Sequence, residues 1–175
     1  TEVNESGTTD TFTIVLTAQP TSNVAFTITS ADSDEVTVVG TATFIPGEWD
    51  IPQEITLTGA DDGQLVDGDQ TTVLTISIDD ANSDDGFDPL EDQMVSATTI
   101  DNDIPGFTVA ETDGSTEVAE SGTTDTFTVV LDAQPTSDVT LTITSSDTGE
   151  ATVTDTLTFT NANWDTPQTV TVTGA

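Results

Sequence analysis

The sequence predicts an all-β protein, and three observations support this fold class. Apolar and polar residues alternate with a period of two, as in Phe12, Ile14 and Leu16, which is the pattern of a half-buried strand. The alternating segments are rich in threonine and valine, whose β-branched side chains pack well on a pleated sheet. Residues 1–60 also align without a gap with residues 116–175, at an offset of 115, and about two thirds of the pairs are identical. A repeat of this length is typical of tandem sandwich domains.

Seven strands are predicted in the first copy of the repeat. They lie near residues 11–17, 24–30, 35–39, 41–45, 53–59, 71–79 and 94–101. Turn-forming segments separate them, among them Gln19-Pro20-Thr21-Ser22, Pro46-Gly47 and Asp61-Asp62-Gly63. This strand count and unit length indicate an immunoglobulin-like Greek-key β-sandwich, repeated with a period of 115 residues.

We predict two domains, residues 1–103 and residues 104–175. The boundary falls in the polar segment from Asp101 to Gly106, which ends in Pro-Gly. The second copy stops before the acidic loop and the last two strands of the first copy, so we expect it to be incomplete at its C-terminal end. Two explanations stay open. Either the chain is an excerpt of a longer array, or a neighbouring copy supplies the missing strands, since an incomplete sandwich has an unpaired sheet edge.

The charge of the chain excludes several classes of function. It has 33 Asp and Glu residues and no Lys, Arg or His, so it has no surface that could neutralise nucleic-acid phosphates. It also has no Cys and no Tyr, and therefore none of the usual nucleophile–base pairs and no zinc site of nitrogen and sulfur ligands. A carboxylate pair for glycoside hydrolysis is disfavoured because aromatic residues make up only 5% of the chain. We therefore expect a non-enzymatic protein, with no nucleic-acid partner and no membrane insertion.

The carboxylates are concentrated between residues 61 and 103, where loops at one end of a sandwich can converge. Clustered oxygen ligands without nitrogen or sulfur donors favour calcium, and repelling carboxylates need a cation that this chain does not contain. An acidic surface that is merely solvated is the alternative, and the run at residues 79–92 is better explained as an exposed insertion. The predicted metal ligands are Glu5, Asp61, Asp62, Asp67, Asp69, Asp101, Asp103 and, in the second copy, Glu120.

Several motifs together resemble the Calx-β domain and its tandem relatives in large bacterial surface proteins. They are Glu5-Ser6-Gly7, the segment Thr58-Gly59-Ala60-Asp61-Asp62 leading to Asp67-Gly68-Asp69, and Ile100-Asp101-Asn102-Asp103. The resemblance covers essentially the whole repeat. It implies calcium binding at one end of the sandwich, through Glu5, Asp61, Asp62, Asp67 or Asp69, Asp101 and Asp103.

These observations lead to one expected function and two alternatives. We expect a structural repeat module of an extracellular adhesin stalk or fibre on a bacterial cell surface, stiffened by calcium at the domain ends, with adjacent repeats or neighbouring copies of itself as partners. The first alternative is a self-assembling filament subunit completed by strand exchange. The second is a carbohydrate-binding module, although Trp49 and Trp164 occupy the same repeat position and are better explained as packing residues than as sugar platforms.

Overall fold

A computed structural model describes residues 1–154 and 156–175 and confirms the all-β prediction. The described strands are β1 Glu2–Asn4, β2 Thr9–Ile14, β3 Val24–Ser30, β4 Val36–Val39, β5 Ala42–Phe44, β6 Gln53–Gly59, β7 Leu65–Val66, β8 Gln70–Ile78, β9 Gln93–Ile100, β10 Phe107–Glu111, β11 Thr124–Leu131, β12 Gln134–Pro135, β13 Val139–Thr142, β14 Ala151–Val153, β15 Thr156–Phe159 and β16 Gln168–Gly174. The helices in these residues are two short 3₁₀ turns, Asp80–Asn82 and Thr112–Gly114.

The chain divides into two compact units, which are described separately. The first consists of Thr1–Gly63 and Gly68–Asn102. The second consists of Gln64–Asp67 and Asp103–Ala175.

The first unit is a sandwich of two sheets. One sheet has five strands in the order β1-β9-β8-β3-β5, and the other has three in the order β2-β6-β4. Val3, Leu74 and Ala97 of the five-stranded sheet form one buried cluster with Val36 and Leu57 of the three-stranded sheet. Successive strands from β2 to β6 alternate between the two sheets, so the core is assembled from segments that are distant in sequence.

The start of the first unit differs from the sequence prediction. The strand expected near residues 11–17 lies at Thr9–Ile14, and an unpredicted strand, β1, precedes it. β1 pairs in parallel with β9, with Val3 opposite Thr99. A strand of three residues is too short to show alternation, and only its long-range partner defines it. Gly59 leaves room for it, because a Cβ atom at residue 59 would clash with the carbonyl oxygen of Asn4.

The second unit contains a four-stranded sheet and two short strand pairs. The sheet has the order β10-β11-β16-β14, while β13 pairs with β15 and β12 with β7. Its core contains Val129, Leu131, Phe159 and Val170, and Trp164 packs against this cluster.

Backbone details recur between the two units at the offset of 115 residues. The Asn4 N–H donates to Thr8 Oγ1 over 2.7 Å, and the Ala119 N–H donates to Thr123 Oγ1 over the same distance. This one turn is therefore formed in the same way in both units. The two-domain boundary and the 115-residue repeat of whole sandwiches stay predictions.

Candidate metal centre

Glu5 is the most deeply buried carboxylate of the first unit. It directly follows β1, and its N–H donates to the carbonyl oxygen of Ile100 at the end of β9 over 3.3 Å. The residue is only 1% exposed. Its Oε2 atom accepts the Asn102 N–H at 3.1 Å, whereas its buried Oε1 atom has no hydrogen-bond partner. A buried carboxylate oxygen without a donor is costly unless a cation compensates it.

Two further carboxylates of the first unit lie next to Glu5. Glu35, Asp62 and Glu5 can each offer an oxygen, and these atoms all lie within 4.8 Å of one another. Glu35 comes just before β4, and its carbonyl oxygen accepts the Ala60 N–H at 2.8 Å. That bond brings the end of β6, two residues before Asp62, to the Glu35 backbone.

Asp101 approaches Glu5 from the end of β9. Its nearest oxygen also lies within 4.8 Å of an oxygen of Glu5. The other contacts of Asp101 hold the loop before β8, because its Oδ2 accepts the Gly68 N–H at 2.8 Å and its own N–H donates to Asp69 Oδ1 at 3.2 Å. Gly68 has a φ of +80°, a backbone conformation that favours glycine.

Asp67 and Asp103 stand where the chain crosses from one unit to the other. Each is peptide-bonded to a first-unit residue, Gly68 and Asn102 respectively. Both are half-buried, and both belong to the groups of carboxylates that could hold an ion.

The other three predicted ligands, Asp61, Asp69 and Glu120, are exposed and belong to none of the ion-holding groups found among the described residues. Asp61 accepts the N–H of Gly63 at 2.8 Å in a tight turn. Asp69 faces the Asp101 backbone instead of the buried carboxylates.

Sequence reasoning missed Glu35, which is 8% exposed. It lies at the start of a predicted strand, directly after Asp34 and away from the acidic segment of residues 61–103. One signal was available, since Glu150 stands 115 residues later and Glu120 likewise repeats Glu5. Both copies of the repeat thus have an acidic residue at the same position, directly before a mostly apolar strand. Acidic residues are seldom buried without a partner, so a repeated one at such a position indicates a role in the fold or in a site.

The electrostatics of this cluster are unfavourable without a cation. Burial raises the pKa of Glu5 above its ordinary value of 4.5, and the charges of Asp62, Asp101 and Glu35 raise it further, against the lowering effect of the Asn102 N–H. Two like charges 4.8 Å apart repel by about 3.5 kcal/mol at an effective dielectric constant of about 20. The chain contains no Lys, Arg or His to offset this repulsion.

The donor set fits a hard divalent cation. The candidate ligands of the first unit are carboxylate oxygens on loops at one of its poles, and Ca²⁺ takes six to eight such oxygens in flexible geometry. The buried Oε1 atom of Glu5 is the donor for which the protein itself supplies no partner.

A second acidic segment, residues 79–92, is held in place by hydrogen bonds to the Asp84 carboxylate. Asp84 Oδ2 accepts the N–H and the hydroxyl of Thr21 at 2.6 and 2.7 Å and the Ser22 N–H at 2.9 Å. The Thr21 hydroxyl, together with the N–H groups of Gly86, Ser22 and Thr21, holds the pKa of Asp84 well below its usual range. Asp84 thus attaches this segment to the turn after β2 as a hydrogen-bonded anion.

Comparison with known proteins gives structural likeness only. No known family and no curated protein matches the chain. Among solved structures it is similar to CBD12 from CALX1.2 (15% identity, TM-score 0.38) and to the calcium binding domain CBD12 of CALX1.1 (15% identity, TM-score 0.41), each match covering 99% of this chain and 71% of that chain. It is also similar to SSP-19, an MSP-domain protein like family member in Caenorhabditis elegans, with 14% identity and a TM-score of 0.36 over 57% of this chain and 91% of that one.

The described residues contain no helix long and apolar enough to cross a membrane.

Proposed function

We propose that the first unit binds Ca²⁺ at the pole formed by Glu5, Glu35, Asp62 and Asp101, and that the ion makes the module rigid. The observation that carries this proposal is the Glu5 side chain. It is buried, one of its oxygens has no hydrogen-bond partner, and its neighbours are carboxylates in a chain without basic side chains.

A divalent ion suits this cluster better than protonation of Glu5. A proton would neutralise a single carboxylate and leave the others to repel one another, whereas Ca²⁺ brings two positive charges and several coordination positions.

Such an ion would connect the ends of strands in both sheets. Glu5 follows β1 and Asp101 follows β9, both in the five-stranded sheet. Asp62 comes after β6 and Glu35 before β4, both in the three-stranded sheet. An ion bound by Glu5, Glu35 and Asp62, whose nearest oxygens lie within 4.8 Å of one another, would therefore oppose separation of the sheets at this pole, because a ligand specific for the folded state stabilises it.

This chemistry suits a structural repeat in an extracellular adhesin stalk or fibre on a bacterial surface. Extracellular modules bind calcium with dissociation constants of roughly 10⁻⁴ to 10⁻³ M, so a weak site would be filled where calcium is in the millimolar range. The high negative charge keeps such a chain soluble, and the bound ions reduce its self-repulsion.

Calorimetric titration of the whole chain with CaCl₂ tests the proposal directly. We expect saturable binding that Glu5→Gln weakens at least tenfold, because the buried oxygen without a partner loses its charge. Glu120→Gln is the matched control, since it removes the same charge from the same local sequence at an exposed residue. Unchanged calcium binding by the Glu5→Gln protein would overturn the proposed site.

The filament subunit and the carbohydrate-binding module stay predictions of the sequence. Trp49 and Trp164 both pack against the cores, which favours a packing role for them over sugar binding.

A further inference from the structure

Strand β5 lies at the edge of the five-stranded sheet of the first unit. Among the described residues it pairs with β3 alone, with Thr43 opposite Ala25. Backbone groups on the other side of an edge strand face away from the sheet, and they are a template on which a strand of another molecule can form hydrogen bonds. The question at this edge is therefore what prevents such pairing.

The usual protection of an edge strand is absent from the sequence around β5. Residues 36–45 contain no charged residue and no proline, and the chain has no lysine, the charged residue that natural proteins place most often on an edge strand. The same segment is rich in valine and threonine, which favour strands. Uncharged segments of this kind tend to pair with one another.

The side-chain amide of Gln53 occupies the outer side of β5. Its Oε1 atom accepts the Thr43 N–H at 3.1 Å, and its Nε2 atom donates to the Thr43 carbonyl oxygen at 2.6 Å. One amide group thus binds both backbone groups of the same residue. This is the exchange of two hydrogen bonds that a residue of a neighbouring antiparallel strand would make.

Gln53 reaches this edge from the other sheet of the sandwich. It is the first residue of β6, which belongs to the three-stranded sheet. Alternation along β6 places it on the same face as Ile55 and Leu57, both of which are buried, and Gln53 itself is half-buried. An added strand can therefore pair with Thr43 only after the Gln53 amide has been displaced.

The carbonyl groups that follow β5 also have partners within the first unit. The Ile45 carbonyl oxygen accepts the Glu48 N–H at 3.0 Å. The Pro46 carbonyl oxygen accepts a hydrogen bond from Gln19 Nε2 at 2.7 Å, and proline has no N–H to offer. The closed edge thus continues beyond the end of the strand.

The second unit repeats this arrangement. Gln168 stands 115 residues after Gln53, and its Nε2 atom donates to the carbonyl oxygen of Thr158 in β15 at 2.8 Å. Gln134 Nε2 donates to the Asn161 carbonyl oxygen at 3.0 Å, which corresponds to the bond of the loop after β5. Glutamine amides therefore bind the same backbone positions in both copies of the repeat.

We propose that Gln53 closes the edge of β5 against strand addition by a second copy of this chain, and that Gln168 does the same at β15. The amide takes the place that the backbone of an added strand would occupy. Copies of the chain therefore do not pair through these edges, although the strands carry no charge that would keep them apart. This role goes beyond the proposed calcium binding and is independent of it.

Disulfide trapping tests the proposal, because the chain has no cysteine of its own. Thr43→Cys places a thiol at the exposed residue of β5. If two β5 strands pair antiparallel with residue 43 opposite itself, the two Cα atoms lie about 5.5 Å apart, which suits a disulfide. The whole chain is incubated with EDTA and a mild oxidant in about 1 M NaCl, where the Debye length of about 3 Å reduces repulsion between copies.

The rate of disulfide-dimer formation is followed by non-reducing electrophoresis. Gln53→Met keeps the length of the side chain and removes the amide. It should accelerate dimerisation of the Thr43→Cys chain about tenfold or more, because the edge is then open. In a Thr71→Cys chain, whose cysteine lies on β8 between two paired strands, the same substitution should have no effect. An unchanged rate in the Thr43→Cys, Gln53→Met chain would overturn the proposal.

A charged variant separates an open edge from a loosened fold. Gln53→Glu also disrupts the pair of hydrogen bonds, but it leaves a negative charge beside β5, and charges at an edge prevent pairing. Dimerisation should therefore stay slow. Equal acceleration by Gln53→Met and Gln53→Glu would show that loosening is the cause and would contradict the proposed role. Circular dichroism checks folding, and Gln168→Met with Thr158→Cys repeats the test in the second unit if Gln53→Met does not fold.

Discussion

Replacing Glu5 by glutamine should raise the stability of the first unit in EDTA and weaken the stabilisation that calcium provides. In EDTA, the buried Glu5 carboxylate faces Glu35, Asp62 and Asp101 without a compensating cation. Each of these repulsions amounts to about 3.5 kcal/mol at an effective dielectric constant of about 20. Relaxation of the loops and partial protonation of Glu5 reduce this value, so we expect a net gain of about 1 to 2 kcal/mol. For a unit of this size, each kcal/mol raises the melting temperature by about 4 to 8 °C.

In calcium the same substitution should weaken the stabilisation that the ion provides. With a dissociation constant of roughly 10⁻⁴ to 10⁻³ M and about 10 mM CaCl₂, the wild-type first unit gains about 1.4 to 2.7 kcal/mol from binding. If binding is about tenfold weaker, the Glu5→Gln protein gains about 0.4 to 1.4 kcal/mol. The stability advantage that Glu5→Gln has in EDTA should therefore shrink by about 1 kcal/mol in calcium.

Thermal unfolding followed by tryptophan fluorescence measures both effects. Trp49 packs against the core of the first unit, and a Trp164→Phe background removes the signal of the second unit. Glu120→Gln, made in the same background, should leave both melting curves unchanged because Glu120 is exposed. If Glu5→Gln fails to raise the melting temperature in EDTA and keeps the full calcium effect, the reasoning about the buried carboxylate is refuted.

Three further predictions concern pH, the acidic loop and the packing of β1. In EDTA, the first unit should become more stable as the pH falls from about 7 toward about 5. Because the pKa of Glu5 is raised, the folded state binds this proton more tightly than the unfolded state, and the destabilising charge is lost as the pH falls through that pKa. Scanning calorimetry that shows only a decline in melting temperature over this range would contradict this prediction. Asp84→Asn should speed amide hydrogen exchange in residues 79–92. Because hydrogen bonds lower the pKa of Asp84, the contribution of this carboxylate to stability is present above the unfolded pKa of about 4 and is lost as the pH falls toward the lowered value. Unaltered exchange at neutral pH would refute the anchoring role. Gly59→Ala should lower the free energy of unfolding, measured in urea, by about 2 kcal/mol or more and should weaken calcium binding, because the new Cβ atom clashes with Asn4 and displaces β1. Gly47→Ala serves as the control, since a Cβ atom at residue 47 has open space.

The all-β class and most strand positions were predictable because alternation is a local signal. The predictions for β3 and β6, near residues 24–30 and 53–59, agree with the structure to the residue. β1 was not predictable in this way, since three residues carry no measurable period and the strand depends on its pairing with β9, 96 residues away in register.

The candidate site was predictable in part for a similar reason. The clustering of aspartates between residues 61 and 103 is visible in the sequence, and the structure brings Asp62 and Asp101 of this segment next to Glu5. Glu35 was missed because it lies outside this segment, and its approach to Glu5 depends on how the ends of β4 and β6 meet. Asp61 stays a predicted ligand, and in the structure its carboxylate accepts the Gly63 N–H in a tight turn.

The sequence by itself determined the sign of the protein's net charge and the type of ligand that it can offer to a metal ion. Because the chain has no basic side chain, any cation that compensates a buried carboxylate must come from outside the chain. Because it has no histidine or cysteine, only oxygen ligands are available to a metal ion. Tertiary structure alone decided which carboxylate is buried. Glu5 is buried, whereas Asp61 and Asp69 of the acidic segment are exposed. The physical reason is that burial at residue 5 depends on contacts with Asn102 and Ile100, almost one hundred residues away, which no local pattern can encode.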